Sequence, residues 1–274
     1  MREVLFILDN TKDNVVGMFD RYKNVLANLP EYSKNVFRKG YFKWLWHQVH
    51  GWHKSSYAIL AVNFVLQVYI LMNTLLADPT TKLLWASIFG FIGANLSVLC
   101  VLGISNMSGI QGWAGATSAL AIIASAIIAH NWANMVEQLI YLVFLDAFCI
   151  LDPKWNDNIK AERFAHWYDW IKYSVFLLVM WGIIYYIFGL TNDPNLFWDS
   201  LTLAIAFTGS LLELNRKAEQ YVFWLLGNVT AILLWVHSAS QGTANYALVV
   251  SYSLFFLNSL LGATWWFKGS KTNK

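Results

Sequence analysis

The sequence predicts an all-α, polytopic membrane protein. Its eight transmembrane helices form two parallel three-helix repeats joined by a linker helix, preceded by amphipathic N-terminal helices. Three observations predict this. The 274-residue chain is 57% hydrophobic and only 13% charged, about half the charge content of a soluble domain. It carries 15 Trp, a residue that gathers at membrane–water interfaces. Its basic residues are also segregated. If the N-terminus is cytoplasmic, segments 1–55, 105–106, 152–172, 214–218 and 265–274 lie inside and hold every Lys and Arg except Lys82. That is the bias the positive-inside rule describes.

Residues 1–55 open the chain without a short apolar core and small-residue cleavage site, so they read as cytoplasmic rather than as a secretory signal. Val15, Val16, Phe19, Tyr22, Leu26 and Leu29 recur at helical spacing. After Pro30 a second helix is expected, with Phe37, Tyr41, Leu45, Val49 and Trp52 among Lys34, Arg38, Lys39 and Lys43. A basic, aromatic-rich helix suits an anionic membrane surface. His47, His50 and His53 drift around that helix with no carboxylate or Cys beside them. They read as interfacial residues, and no metal site is expected.

Apolar segments follow at about 56–77, 83–104, 107–129, 133–151, 168–190, 196–213, 219–239 and 243–264. Most have the ~20 residues needed to cross a ~30 Å hydrocarbon core. The one long charged connector, 152–167, carries Asp152, Lys154, Asp157, Lys160, Glu162 and Arg163. Cys100 and Cys149 sit in apolar runs and read as small buried hydrophobes.

The second half echoes the first. Leu84-Trp85-Ala86-Ser87 matches Phe197-Trp198-Asp199-Ser200, and Ala133-Asn134-Met135 matches Ala244-Asn245-Tyr246 with Tyr141 on Tyr252. Segments two to four (83–151) thus pair with six to eight (196–264). The loop and linker helix (152–191) join them, 56–78 is an added N-terminal span, and 265–274 is a cytoplasmic tail. Two repeats of one orientation imply a pseudo-two-fold along the membrane normal, with a site near the midplane between them.

The seventh segment carries the clearest functional pattern. Tyr221, Trp224 and Asn228 stand at i, i+3 and i+7, within roughly 60° of one another on a helix. An amide in hydrocarbon costs about 1–3 kcal/mol without a partner, so Asn228 must face protein, water or a ligand. The repeat offset at the first match sets Gln111 opposite Trp224 and Gly115 opposite Asn228, a flat surface facing an amide and a gap. Gln138, Tyr141 and Asn258 are further polar candidates at depth, and Asn95 is another. Gly109, Gly112 and Gly115 equally suit close helix packing. Asp146 and Glu137 are the carboxylates expected well inside spans, with a helix-bridging role for Asp146. Without a buried acid pair, the site is expected to bind metal ions and strongly basic ligands poorly. No catalytic motif, P-loop or metal spacing is present. The basic segments match a membrane face, so neither enzyme activity, a cofactor nor nucleic-acid binding is expected.

Glu219 to Asn228, preceded by Arg216-Lys217, resembles the E-x-W-x-x-W-x-x-x-[N/D] signature of PnuC, the bacterial nicotinamide riboside transporters. Phe197-Trp198-Asp199-Ser200 resembles that family's F-W-D-S helix entry, and Ile104-Ser105-Asn106 its first repeat. The resemblance spans about residues 83–267, with Tyr221 in place of the first signature Trp. It implies a SWEET-like bundle in the bacterial inner membrane, both termini cytoplasmic, moving nicotinamide riboside by facilitated diffusion. The substrate-binding residues it implies are Trp224, stacked on the pyridinium, Asn228, on the carboxamide or ribose, and Tyr221, closing the site. Gln111, Gln138, Tyr141 and Asn258 complete the lining. The lipid bilayer is the other partner, and a homotrimer is carried over from SWEET-like bundles. Relatives that carry thiamine or riboflavin form the alternative. A membrane-embedded receptor or enzyme is the alternative of a different class.

Overall fold

A computed structural model of the chain describes residues 17–77, 81–130, 132–156, 159–190, 195–240 and 246–270. Val15, Val16, Asp157, Ala244 and Asn245, which figure in the expectations above, lie outside the described residues. The described residues are all-helical, with no strand beyond a single parallel bridge between Glu162 and Lys217.

Helix α1 (17–27) is followed by α2 (Leu29–Val36) and α3 (Tyr41–His47). Pro30 stands in the first turn of α2, where its missing N–H costs nothing. The helix expected beyond Pro30 is instead two short ones, because Gly40 takes φ 82° at the N-cap of α3. The membrane-length helices are α4 (Lys54–Ala77), α5 (Thr81–Ser105), α6 (Ile110–Ala129), α9 (Tyr168–Gly189), α10 (Leu196–Leu214), α11 (Gln220–Ser240) and α12 (Tyr246–Gly269). The fourth apolar segment is broken: α7 (Trp132–Tyr141), a π-helical turn (Leu142–Asp146) and α8 (Ala147–Leu151).

All eight expected segments are therefore helical. Among the described residues, five are long and apolar enough to cross a membrane: Lys54–Ala77, Leu84–Ser105, Ile110–Ala129, Asn134–Leu151 and Tyr168–Gly189. Helix α10 falls outside that set, and it carries Asp199 and Glu213.

Six segments close a ring. Helix α5 packs on α6, α6 on α7 and the π turn, the π turn on α10, α10 on α11, α11 on α12, and α12 back on α5. Outside the ring, α9 packs on α10, and α4 packs on α5 and α12. Helix α6 is a run of Ala, Gly and Ser on its buried side, which lets neighbouring backbones approach closely.

The turns α5–α6 and α10–α11 share one geometry. Met107 (φ 52°) and Arg216 (φ 54°) are left-handed. Each is followed by a six-to-one bond, Ser108 N–H to Gly103 C=O at 2.9 Å and Lys217 N–H to Leu212 C=O at 2.9 Å. The preceding asparagines match as well: Asn106 Nδ2 donates to Leu102 O and Asn215 Nδ2 to Leu211 O, both at 2.8 Å. Superposing these turns pairs Gln111 with Gln220, not with Trp224. The offset read from the start of the second segment overshoots here by about one helical turn, because α5 is longer than α10.

One end of the ring is plugged by a cluster around Trp155, Trp266, Leu214, Ala218 and Tyr221. The connector after α8 lies across that plug. Glu162 exchanges backbone bonds with Arg216 O and Ala218 N–H, both 2.8 Å. Its carboxylate pairs with Arg216 and with Lys217 at 3.0 Å, while Arg163 pairs with Glu219 at 2.7 Å. Helix α1 docks on the same end. Tyr22 donates to Phe144 O in the π turn at 2.8 Å, and Arg21 pairs with Asp152 at 2.8 Å. Gln48, just past α3, accepts from Gly109 N–H at 3.1 Å at the start of α6. Phe37, Phe42 and Trp46 are exposed, whereas Tyr41 and Trp52 of the expected apolar face are buried, so a different face of α3 is left uncovered.

Candidate functional site

The ring encloses a cavity of about 910 Å³, within the size range of small-molecule sites. Of the residues expected there, Tyr221, Trp224, Asn228, Gln138, Tyr141 and Asn258 line it. Gln111 does not. It is wholly buried against α5, where a Cβ on Gly103 would stand 3.0 Å from its own Cβ. Neither of its amide atoms reaches a hydrogen-bond partner.

The α11 stripe forms one wall. Trp224 lies against Gly209 of α10, where a Cβ would come within 3.1–3.2 Å of its Cζ2, Cδ2 and Cε2 atoms. Only the bare glycine lets the indole settle there. Its Nε1 donates to Gln220 Oε1 at 3.3 Å, leaving ring surface toward the cavity. One turn along, Asn228 Nδ2 donates to Ser259 Oγ of α12 at 3.1 Å. Tyr221 is the floor. Its ring tip covers Gly262, where a Cβ would lie 2.6 Å from the hydroxyl oxygen. Beneath it stands Trp266 at 5.9 Å between ring centroids, then Trp155 at a further 6.2 Å. Trp266 and Trp155 are completely buried, and Trp266 is fixed by a 2.9 Å bond to Ile104 O.

The opposite wall comes from α7 and the π turn, with Glu137, Gln138, Tyr141 and Asp146. Asn258 has a different part. It accepts from Ser105 Oγ at 2.9 Å and donates to Val101 O at 3.0 Å, so it ties α12 to α5. Asn95 likewise bonds Asn63 of α4 at 3.1 Å.

Three sequence expectations change. Asp146 does not bridge helices. It faces the cavity, and its carboxyl fills the gap at Gly115, where a Cβ would stand 2.7 Å from Cγ. The expected absence of a buried acid pair also fails. Glu213, in the last turn of α10, is completely buried and lines the same cavity as Asp146. Finally, α4 is more than an N-terminal addition, since Gln67, Ile70, Leu71 and Thr74 line the cavity and Gln67 bonds Ser251 of α12 at 3.0 Å. Its signal was present in sequence: Asn63 and Gln67 stand at i and i+4 in an apolar helix, and both are buried.

Two of the three expected interfacial histidines, His47 and His50, lie with ring centroids 5.8 Å apart. His50 contacts Trp46 O at 3.1 Å, and His53 stacks on Trp265 at 3.9 Å. No group of three or more metal-ligating side chains occurs among the described residues. At the plugged end, burial disfavours the Glu162 carboxylate, but the Lys217 hydrogen bond and the charges of Lys217 and Arg216 outweigh it. They hold the group below the usual carboxylate range. Lys154 is pushed down, first by Arg21, then by burial and Arg216.

A cavity lined by polar and aromatic side chains thus lies within a ring of apolar helices. The solved structure of a protein titled the vitamin B3 transporter PnuC matches with a TM-score of 0.67 at 17% identity, covering 86% of this chain and all of that one. That likeness shows the fold. No curated protein matches the chain. The family model described as nicotinamide mononucleotide transporter matches residues 87–268, a span that contains both halves of the ring and every wall of the cavity except α4, and the chain belongs to that family of transporters.

Proposed function

We propose that this transporter moves nicotinamide riboside across the bacterial inner membrane by facilitated diffusion and alternating access. The observation that carries the reading is the Trp224 face, seated on Gly209 with Asn228 one turn away in an enclosed cavity. The substrate joins a flat pyridinium cation to a carboxamide and a ribose. An indole face attracts a desolvated cation by up to ~2 kcal/mol, and amides offer both donors and acceptors to the rest. Eight spans and cytoplasmic termini are part of the proposal, supported by the segregation of Lys and Arg. Two parallel repeats are supported by the matched turns at Met107 and Arg216. The ring's two junctions, π turn with α10 and α12 with α5, are equivalent under that pairing. In this orientation the plug of Tyr221, Trp266 and Trp155 faces the cytoplasm, and opening it delivers the substrate. A homotrimer remains the assembly proposed from SWEET-like bundles.

Counterflow of labelled nicotinamide riboside in proteoliposomes tests the reading. Exchange is expected without any sodium or proton gradient. Binding without exchange would make the protein a receptor, and exchange abolished by a protonophore would refute facilitated diffusion. A second reading, a carrier of another vitamin such as thiamine or riboflavin, is favoured by Tyr221, whose hydroxyl has no hydrogen-bond partner. A ligand panel by calorimetry separates the two.

A further inference from the structure

Toward the plugged end of the cavity, Glu213 lies within electrostatic reach of both Asp146 on the wall and Tyr221 on the floor, and the reading above leaves the two acids unused. Asp146 ends the π turn, Glu213 closes α10 and Tyr221 opens α11. All three line the cavity and are at most 3% exposed. Both carboxyl oxygens of Glu213 and the Tyr221 hydroxyl have no hydrogen-bond partner. Among the described residues, no Lys, Arg or His lines the cavity.

Buried polar groups in such numbers are normally paired. A buried carboxylate left unpaired carries a desolvation penalty far above that of a neutral group. The fold nevertheless keeps these groups together from three separate elements. Gly115 makes room for Asp146, and Gly262 makes room for Tyr221. The arrangement is rich in oxygens without a hydrogen-bond partner, so it fits a ligand bearing closely spaced O–H groups. A carboxylate accepting from ribose hydroxyls is a recurring solution for nucleoside recognition. Tyr221 lies one helical turn from Trp224, about 5 Å along α11, comparable to the reach from a nucleoside's ring to its ribose diol.

We infer that Asp146, Glu213 and Tyr221 form a ribose-diol subsite at the plugged end of the cavity, which orients the substrate with its sugar toward the plug and its carboxamide toward Asn228. This rests on nicotinamide riboside being the cargo, and it assigns Asn228 to the carboxamide.

The test is calorimetry on the full chain in detergent with nicotinamide riboside and its 2′-deoxy analogue. The wild-type protein is expected to prefer the riboside by roughly 10-fold, the upper scale of one net hydrogen bond. In Glu213→Gln and Asp146→Asn, the preference should fall to within about 2-fold of unity. Tyr221→Phe, which preserves the packing on Gly262, should reduce it partially and serves if either acid variant fails to fold. A wild-type preference that persists unchanged in the folded variants, or a wild type that binds both ligands equally, overturns the subsite alone. A wild type that binds neither ligand overturns the cargo assignment and the subsite with it.

Discussion

Gly209 offers a way to disturb the site without touching any group that contacts substrate. In Gly209→Ala the new methyl would stand 3.1–3.2 Å from three indole atoms of Trp224. Carbon pairs prefer about 3.5–4.0 Å, so the indole must retreat by roughly half an ångström into the cavity. The Trp224 Nε1 to Gln220 Oε1 bond is already 3.3 Å long, near the limit for N–H donors, and that retreat breaks it. The net worth of one such bond is about 1 kcal/mol. Misplacing the stacking face forfeits about half of a cation–π contact of up to ~2 kcal/mol. Together these give about 2 kcal/mol, or a Kd raised by roughly 30-fold.

Calorimetric titration of purified Gly209→Ala with nicotinamide riboside measures this directly. Trp224→Phe is the comparison, since it keeps an aromatic face but relieves the clash and removes the Nε1 donor. The double variant Gly209→Ala with Trp224→Phe should bind about as well as Trp224→Phe alone, because the two changes act through one contact. A Kd for Gly209→Ala within about 2-fold of wild type would refute the claim that the indole's seat on Gly209 sets the binding geometry.

Three other outcomes are expected. Trp224→Ala and Asn228→Ala should each weaken nicotinamide riboside binding by about 10-fold or more; unchanged affinity in both would remove α11 from the site. Tyr22→Phe should cost about 1 kcal/mol of stability, since the Phe144 carbonyl loses its donor, and an unaltered thermal midpoint would show that the contact contributes nothing. Glu162 has a folded-state pKa below its ordinary 4.5, so its contribution to the connector's clasp is complete above that value and is lost as pH falls through the lower folded one. Hydrogen-exchange protection of the Glu162 and Ala218 amides should therefore be full at neutral pH and fall as the pH drops below the ordinary 4.5 toward the lower folded value; Glu162→Gln should remove the pH dependence, and a dependence that survived in it would point to another group.

The sequence made the helices and the α11 stripe legible because both are local. Apolar run length marked each helix to within a few residues, and i, i+3, i+7 spacing put Tyr221, Trp224 and Asn228 on one wall of the cavity. What it missed depends on contacts distant in the chain. Gln111 was assigned to the site through a repeat offset that held at the start of α5 but not at its end. The extra turn in α5 lies between, and only the matched left-handed turns at Met107 and Arg216 reveal it. Local periodicity also read the fourth segment as one unbroken helix. The π turn, which brings Asp146 onto Gly115, follows from packing against α6 and α10.

Glu213 shows most clearly why burial of an acid is hard to read from its neighbours. It stands at the edge of the sixth apolar segment beside Arg216 and Lys217, where a carboxylate usually meets water or a nearby cation. In the structure both cations turn instead to Glu162, more than 50 residues upstream. The left-handed Arg216 starts the turn, and the connector's bridge to Lys217 holds it there. Glu213 is left facing the cavity with neither oxygen paired. The clasp outside the ring and the unpaired acid inside it are thus two sides of one arrangement: Arg216 and Lys217 pair with Glu162, and Glu213 is left without either. If that coupling holds, Glu162→Gln should release Arg216 and Lys217 and alter the riboside affinity, although Glu162 itself lies outside the cavity.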